Sequence, residues 1–322
     1  MLVYAGIDEA GYGPMLGPLC IGCSAFALQQ YDPADGAPDL WRILSNAVCQ
    51  SRRDRRRRIA IDDSKELKGP NSAATHPLRH LERGVLACCL ASGASPRSDD
   101  GLFDHLQVRV PEVPWYDSST PLPLAHTADE LRVAASVLQR ALAGANVRLE
   151  LMRCEVIAAG EFNRQVEAMR NKANVNLCGV MRRLDELWRR WPRCHPRVIV
   201  DRLGGRIRYL RTLQLSFPEA QICILTERPT LSRYQLDQAG SRLTVSFVQH
   251  AERQHLPTAL ASMIAKYVRE LMMIRLNRYF QAQLPRLRPT AGYVKDARRY
   301  LIEIEPVMKR LSLSPSQLVR SV

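Results

Sequence analysis

Acidic residues are scarce relative to basic ones in this chain of 322 residues. It contains 32 Asp and Glu residues but 46 Lys and Arg residues, which gives a formal net charge of +14. A surface with so little negative charge attracts polyanions instead of repelling them. Nucleic acid is therefore the first partner to consider, and an anionic membrane surface is the second.

Long apolar runs and paired metal-binding cysteines are also lacking. No run approaches the roughly 18 apolar residues of a membrane span, and no basic segment precedes the short apolar run over residues 1–7. Cys20 and Cys23 form the one CxxC spacing, and no second pair completes a zinc set. We therefore expect a cytoplasmic protein without a membrane anchor, whose nine cysteines are reduced core residues.

The first twenty residues contain the strongest local pattern. An apolar run over residues 2–7 ends in two adjacent carboxylates, Asp8 and Glu9. Gly11, Gly13 and Gly17 follow, and glycines allow a tight turn and a close approach of the backbone to another group. Residues 19–28 form a second apolar run, which is predicted to pair antiparallel with the first. The two acids are thus expected close to a hairpin.

Two further β-branched runs lead into an acid. Residues 198–200 precede Asp201, and residues 243–248 lead to Glu252, before a long amphipathic helix with Pro257 in its first turn. Strand ends are where α/β sheets assemble their sites. Clustered carboxylates suit Mg²⁺ or Mn²⁺, and two such ions about 4 Å apart can activate a water and stabilise the leaving oxygen in phosphodiester cleavage. Together with the basic surface, this pattern indicates a nuclease.

The remaining segments are predicted from periodicity and breakers. The Arg-rich run 51–58 is interpreted as a solvated basic face, and the Pro-rich stretch 110–123 as the irregular middle of an inserted region. The tail is expected to be polar. Helices are predicted at residues 40–50, 78–90, 128–142 and 161–190, and strands at residues 147–156 and 220–225.

Several motifs resemble those of ribonuclease HII, the type 2 ribonuclease H family, in the same order along the chain. Residues 6–18, GIDEAGYGPMLGP, resemble the opening signature of that family, and residues 63–67, DSKEL, resemble its next motif. The strand ending at Asp201, the segment from His250 through the helix motif ASMIAKYVR at 261–269, and the pair Gly292-Tyr293 are similar to later family segments.

The resemblance implies an α/β fold with a ribonuclease H-like mixed sheet flanked by helices. It implies a catalytic domain over residues 1–275, with insertions at about 31–58, 70–145 and 206–240, and a C-terminal helical segment over 276–322. The implied activity is endonucleolytic cleavage of the RNA strand in RNA-DNA hybrids, or at ribonucleotides within duplex DNA, leaving 5′-phosphate ends. We expect the protein to work as a monomer.

The resemblance also assigns roles to individual residues. It implies that two Mg²⁺ or Mn²⁺ ions are held by Asp8, Glu9, Asp201 and Glu252. The backbone of Gly11, Tyr12 and Gly13 would face the ribose 2′-hydroxyl, which distinguishes RNA from DNA. Ser64 and Lys65 would contact phosphates, and Tyr293 would stack beneath the nucleotide at an RNA-DNA junction.

Some residues depart from the ribonuclease HII pattern. Tyr12 stands where that family has Arg, whereas Glu252 in place of Asp and the run Ala291–Val294 are closer to ribonuclease HIII. Two alternatives stay open: a nucleic-acid-binding protein of this fold with weak or no catalysis, and another nuclease on the same fold. Glu270 is a rival fourth ligand, but its spacing from Lys266 favours a surface ion pair instead.

Overall fold

The computed structural model describes residues 1–32, 36–70 and 75–321, which fold into strands and helices. The strands in this part of the chain are β1 (Leu2–Ala10), β2 (Leu19–Leu28), β3 (Val48–Cys49), β4 (Ile59–Ala60), β5 (Val147–Ile157), β6 (Arg197–Asp201), β7 (Gln221–Arg228), β8 (Leu231–Gln238) and β9 (Ser241–Val248). The helices there are α1 (Leu40–Ile43), α2 (Ser64–Leu67), α3 (Arg79–Ala91), α4 (Asp99–His105), α5 (Ala128–Gly144), α6 (Ala159–Met169), α7 (Lys172–Arg190), α8 (Leu210–Ser216), α9 (Leu256–Gln283), α10 (Val294–Arg310) and α11 (Pro315–Leu318), with 3-10 turns at Pro114–Tyr116 and Ala251–Arg253.

Seven of these strands form one mixed sheet in the order β5-β2-β1-β6-β9-β8-β7. β1 and β2 pair antiparallel, as the sequence predicts, whereas β6 and β9 run parallel to β1. The expected mixed sheet flanked by helices is thereby confirmed. Because β1, β6 and β9 are adjacent and parallel, their carboxyl ends meet at one edge of the sheet.

Helices cover both faces of the sheet. Side chains alternate along β1, so Tyr4 joins a buried cluster with α3, α5 and α9, while Ile7 joins a cluster with α6, α7 and α8 on the other face. α9 lies directly on the strands at Gly6 and Gly22, where an added Cβ would approach the backbone of α9 to 2.1 Å. Two glycines therefore set the distance between the long helix and the sheet.

Two predicted helices are wrong in extent. The helix predicted at 40–50 ends at Ile43, because the chain turns there toward the short strand β3. The helix predicted at 161–190 is two helices: Arg170 adopts a left-handed conformation with φ of 50°, and the Asn171 side chain then caps α7 by accepting a hydrogen bond from the Ala173 amide at 2.9 Å.

The regions predicted as insertions are integrated into the fold. β7 and β8 form a hairpin that extends the main sheet, and β8 is a strand that the sequence interpretation missed. In the region 70–145, α3 and α5 pack in the same cluster as α9, and the buried Trp115 belongs to that cluster. α9 also runs continuously across the predicted boundary at 275.

Six of the nine cysteines are buried and two are partly exposed, whereas Cys223 on β7 is exposed, so the expectation of nine core residues holds for most of them but not for Cys223. Among the described residues, no helix has the combination of length and apolar character that crossing a bilayer requires.

Candidate active site

Three adjacent strand ends bring the predicted carboxylates together. Ile7 of β1 pairs with Val200 of β6, so the next residues along each strand, Asp8 and Asp201, are neighbours. Val248 at the end of β9 pairs with Asp201, and the chain then turns into the 3-10 turn that carries Glu252. Asp201 Oδ1 accepts a hydrogen bond from the Ala251 amide at 3.0 Å, which ties this turn to β6.

The two adjacent acids of β1 lie on opposite faces of the sheet. Asp8 shares the face covered by α9 and is hydrogen-bonded by the Ser262 hydroxyl, and Glu9 shares the face covered by α7 and is hydrogen-bonded by the Asn176 side chain. Both carboxylates still line the same cleft, because they stand at the very edge where the sheet ends. The cleft is therefore open to side chains from both helical layers.

A cleft of about 300 Å³ at this edge contains every residue that the sequence nominated. Its lining consists of Asp8, Glu9, Ala10, Gly11, Tyr12, Gly13, Asp63, Ser64, Lys65, Asp201, Glu252, Ser262, Lys266 and Tyr293. Residues separated by almost 300 positions in the chain thus meet in one place.

Burial and mutual repulsion raise the pKa values of three carboxyl groups in the cleft. Burial, then Glu9 and Asp201, raise the pKa of Asp8 well above its ordinary value. Burial, then Asp201, raise the pKa of both Glu9 and Glu252 to about 7. The protein cations near these carboxyl groups supply too little positive charge to offset the repulsion between the carboxylates.

The donor set fits a divalent cation. Glu252 Oε2 is buried without a hydrogen-bond partner, and the four carboxylates offer only hard oxygen ligands of the kind that Mg²⁺ and Mn²⁺ prefer. Over the described ranges, no three Asp, Glu, His or Cys side chains already surround one point closely enough to hold an ion.

The raised pKa values predict a pH-dependent stability of the metal-free protein. Since the folded state binds these protons more tightly than the unfolded state, the stability that these groups contribute is fully present below the ordinary Glu pKa near 4.5 and is lost as the pH rises through about 7. Between those values we expect the melting temperature in EDTA to fall by several degrees. A smaller fall is expected for Glu252→Gln, which cannot titrate at that position; an equal fall in both proteins would contradict the assignment.

Four polar residues in or beside the cleft were not nominated from the sequence. Asp63 caps α2 by accepting a hydrogen bond from the Lys65 amide at 3.0 Å, and the Ser262 hydroxyl of α9 donates to the Ser64 hydroxyl at 3.0 Å. Lys266 lies one helical turn beyond Ser262 and also lines the cleft. That four-residue spacing is a signal that could have identified both, whereas nothing local marks Asn176 of α7.

The expected ion pair of Glu270 is confirmed, but it is not on the surface. Its carboxylate lies 2.9 Å from Lys266 and 3.1 Å from Lys68, and its side chain is only 12% exposed. Because α9 packs under neighbouring elements at this point, the pair is shielded from solvent. Glu270 does not line the cleft.

The two histidines near Glu252 have different surroundings. His255 accepts or donates a hydrogen bond with the Tyr4 hydroxyl at 2.6 Å, and burial, followed by the charge of Arg233, lowers its pKa to about 4. His250 is exposed, with its Nδ1 3.9 Å from Glu252. Neither histidine lines the cleft.

The glycine turn presents its backbone to the cleft. Gly11 has a φ of 89°, and an added Cβ would meet the Arg269 side chain at 2.5 Å, so only glycine fits there without strain. The Tyr12 ring lies under the Lys172 amine, 5.5 Å from it, and packs on the α7 face of the core. Tyr293 is 55% exposed beside this turn.

The C-terminal tail packs against this turn and is partly buried there, whereas the sequence analysis expected a polar tail. Arg320 is buried and donates hydrogen bonds to the carbonyls of Gly11 and Pro14, and its amide donates to the Met15 carbonyl at 2.9 Å. Leu16 and Val319 form a β-bridge alongside. The last residues of the chain thus brace the turn that lines the cleft.

Removal of the Arg320 guanidinium is expected to loosen the glycine turn. The Arg320→Leu variant leaves two buried carbonyls without donors, at a cost of about 1–3 kcal/mol each in the free energy of unfolding. Chemical denaturation should show this loss, whereas Arg298→Leu, which removes an exposed arginine of α10, should unfold like the wild type. Equal stability of all three proteins would show that the tail does not brace the turn.

Comparisons with known proteins give matches only among solved structures. No family model matches the sequence, and it has no match among curated proteins. Ribonuclease HII from Archaeoglobus fulgidus, solved as a complex with PCNA, is 16% identical, with 98% of this chain and 93% of that chain covered and a TM-score of 0.41. Ribonuclease H2 from Pyrococcus horikoshii OT3 is 16% identical, with 98% and 92% covered and a TM-score of 0.44.

A third similar structure is Bst-RNase HIII in complex with Mn²⁺. It is 15% identical, with 99% of this chain and 66% of that chain covered and a TM-score of 0.43. The proteins that this structure resembles are thus ribonucleases HII and HIII, the two groups that the motifs also indicate. At these identities and scores the resemblance carries no argument about activity, which therefore has to rest on the side chains of the cleft.

Proposed function

We propose that this protein is a divalent-metal-dependent endoribonuclease that cleaves the RNA strand of RNA-DNA hybrids, or at ribonucleotides within duplex DNA. The observation that supports the proposal most strongly is the meeting of four acids and a glycine turn in one cleft of a basic protein. Clustered acids repel a polyanionic ligand unless cations lie between them. A catalytic metal site is the use that explains why they are there.

Asp8, Glu9, Asp201 and Glu252 would hold the ions. When bound, Mg²⁺ or Mn²⁺ supplies an activated water and stabilises the leaving oxygen of the cleaved phosphodiester. Asp8, Glu9 and Asp201 lie at the ends of β1 and β6, and Glu252 lies on the 3-10 turn that is hydrogen-bonded to Asp201, so the sheet and this turn fix their relative positions. Rigid elements hold catalytic groups more accurately than loops do.

The other residues of the cleft would bind the nucleic acid. Lys65 supplies positive charge toward phosphate oxygens, and Ser64 is held by Ser262 in a position to donate a hydrogen bond. The backbone at Gly11, Tyr12 and Gly13 would recognise the ribose 2′-hydroxyl, which a backbone group can do whatever the side chain at position 12. The exposed ring of Tyr293 would stack on a base or sugar.

A binding protein without catalysis is the second candidate function, and the same acids argue against it. Burial and the neighbouring carboxylates raise the pKa values of Asp8, Glu9 and Glu252, so these acids destabilise the folded protein at neutral pH. In a protein that only binds nucleic acid, they would weaken both folding and affinity. Such a protein would gain by losing them.

Cleavage assays with three duplexes test the proposal. The purified protein is incubated with Mg²⁺ or Mn²⁺ and an RNA-DNA hybrid, DNA that contains one ribonucleotide, or plain DNA. We expect cleavage of at least one of the first two substrates, no cleavage of plain DNA, and products with 5′-phosphate ends. Absence of cleavage of both ribonucleotide-containing duplexes would overturn the proposal, and cleavage of plain DNA at a similar rate would indicate a different nuclease.

A further inference from the structure

Six exposed arginines form a second charged region outside the cleft. The basic surface consists of Arg52, Arg53, Arg55, Arg56 and Arg57, in the segment between β3 and β4, together with Arg79 at the start of α3. Three neighbouring depressions in this region are each lined by Arg52. The sequence interpretation of a solvated face agrees with this exposure but assigns the arginines no task.

The backbone beneath the basic surface is held in one conformation. Arg58 pairs with Asp54 at 2.8 Å, and its amide donates to the same carboxylate at 2.9 Å, which closes the turn. Arg83 of α3 donates hydrogen bonds to the carbonyls of Arg57 at 2.6 Å and Arg58 at 3.4 Å. Two arginines thus serve to fix the segment and leave the other side chains extended into solvent.

Protein carboxylates do not neutralise the basic surface. In residues 1–32, 36–70 and 75–321, no ion pair involves any of its six arginines. Burial, followed by the charges of Arg79 and Arg52, lowers the pKa of the neighbouring His80. Like charges crowded in this way favour an anionic ligand.

The basic surface adjoins the candidate active site. A depression of about 600 Å³ is lined by Arg52 and Arg53 on one side and by Glu66 and Arg253 on the other. Glu66 follows Lys65 and Arg253 follows Glu252, and in each pair the earlier residue lines the cleft. α2 and the 3-10 turn at Ala251–Arg253 therefore form a single wall with the cleft on one side and the depression on the other.

We propose that the basic surface binds the phosphate backbone of a nucleic-acid duplex that extends beyond the cleft. The duplex is identified through the proposed function of the cleft, and this inference adds the second place at which it is held. Duplexes present a phosphate charge about every 1.7 Å along their axis, which suits a row of arginines. A membrane surface fits less well, because the run 51–58 has no apolar residue to insert into lipid.

Duplex binding without catalysis tests this inference. The variant Arg52→Gln/Arg53→Gln/Arg55→Gln/Arg56→Gln is compared with Arg148→Gln/Arg189→Gln/Arg190→Gln/Arg193→Gln, which loses the same charge at the opposite edge of the sheet. Fluorescence anisotropy in EDTA measures the dissociation constant of a plain duplex and of a hybrid, each about 30 base pairs long, as salt is varied. We expect the first variant to bind about tenfold more weakly, with a salt slope smaller by about three to four, and the control to bind like the wild type.

Each outcome bears on the inference separately from the proposed function. Equal weakening in both variants, or none in either, would overturn the inference even if the protein cleaves hybrids. Binding of both variants to anionic lipid vesicles is measured as well. If the first variant loses vesicle binding but keeps duplex binding, the inference is overturned. If the protein cleaves no hybrid but the first variant alone loses duplex affinity, the proposed function fails and the basic surface stands.

Discussion

Replacement of Asp8 by Asn is expected to lower the rate of hybrid cleavage by about 10³-fold or more, the order that is lost when a group stabilising developing charge is removed. Asp8 lies at the centre of the cluster, where both Glu9 and Asp201 act on its pKa. Asn keeps the shape of the side chain but removes the charge that would bind a cation. The same change relieves repulsion, so the metal-free variant should melt at a higher temperature than the metal-free wild type at pH 8.

The combination of lost activity and gained stability separates this account from a simple folding defect. Asp104→Asn, which removes an exposed acid of α4, serves as the control and should leave both properties unchanged. Rates are measured on a labelled hybrid, and melting is followed by calorimetry in EDTA. Unchanged cleavage by the Asp8→Asn variant would place the chemistry elsewhere.

The second large effect is expected at Arg275 of α9, which does not line the cleft but stabilises the fold. Its guanidinium is 1% exposed and bonds the fully buried carboxylate of Asp99 twice, at 2.6 and 2.7 Å, and the Tyr116 carbonyl at 2.6 Å. Arg275→Leu strands a buried negative charge, which costs about 3–5 kcal/mol in the free energy of unfolding. The region 70–145 would lose its main polar link to α9.

A double variant shows whether the loss comes from the stranded charge. Arg275→Leu/Asp99→Leu removes the buried pair and should recover part of the stability, since the half-exposed Asp100 then loses its partner and the Thr120 amide its acceptor; the exposed Arg286→Leu should cost little. Urea denaturation of the four proteins gives the comparison. A double variant that is less stable than Arg275→Leu would mean that Asp99 has favourable contacts of its own that outweigh its burial.

The candidate site was predictable because its signals are local. An apolar run that ends in an acid and a glycine is visible at Asp8 and at Asp201, and parallel strands place such ends side by side. The strand β8 was harder to predict from the sequence. β8 alternates buried and exposed residues but contains four polar side chains between Leu231 and Gln238, and its pairing with β7 decides its structure.

The contacts of the tail could not be predicted, because the two partners are separated by almost the whole chain. Arg320 is a charged residue close to the end of the sequence, which is typical of a solvated side chain, and its burial depends on the carbonyls of Gly11 and Pro14. The same holds for Asn176, whose position near Glu9 follows from the packing of α7 on the sheet. Periodicity identifies the buried face of a helix but not the residue that it meets.

Titration of Mn²⁺ into the purified protein tests the central claim most directly. Isothermal titration calorimetry should show Mn²⁺ binding to the wild type and to the Asp104→Asn control, with affinity at least about tenfold lower in Asp201→Asn, because that carboxylate lies between β1 and the turn that carries Glu252. Equal affinity in the wild type and Asp201→Asn would contradict the claim that these acids hold the ions.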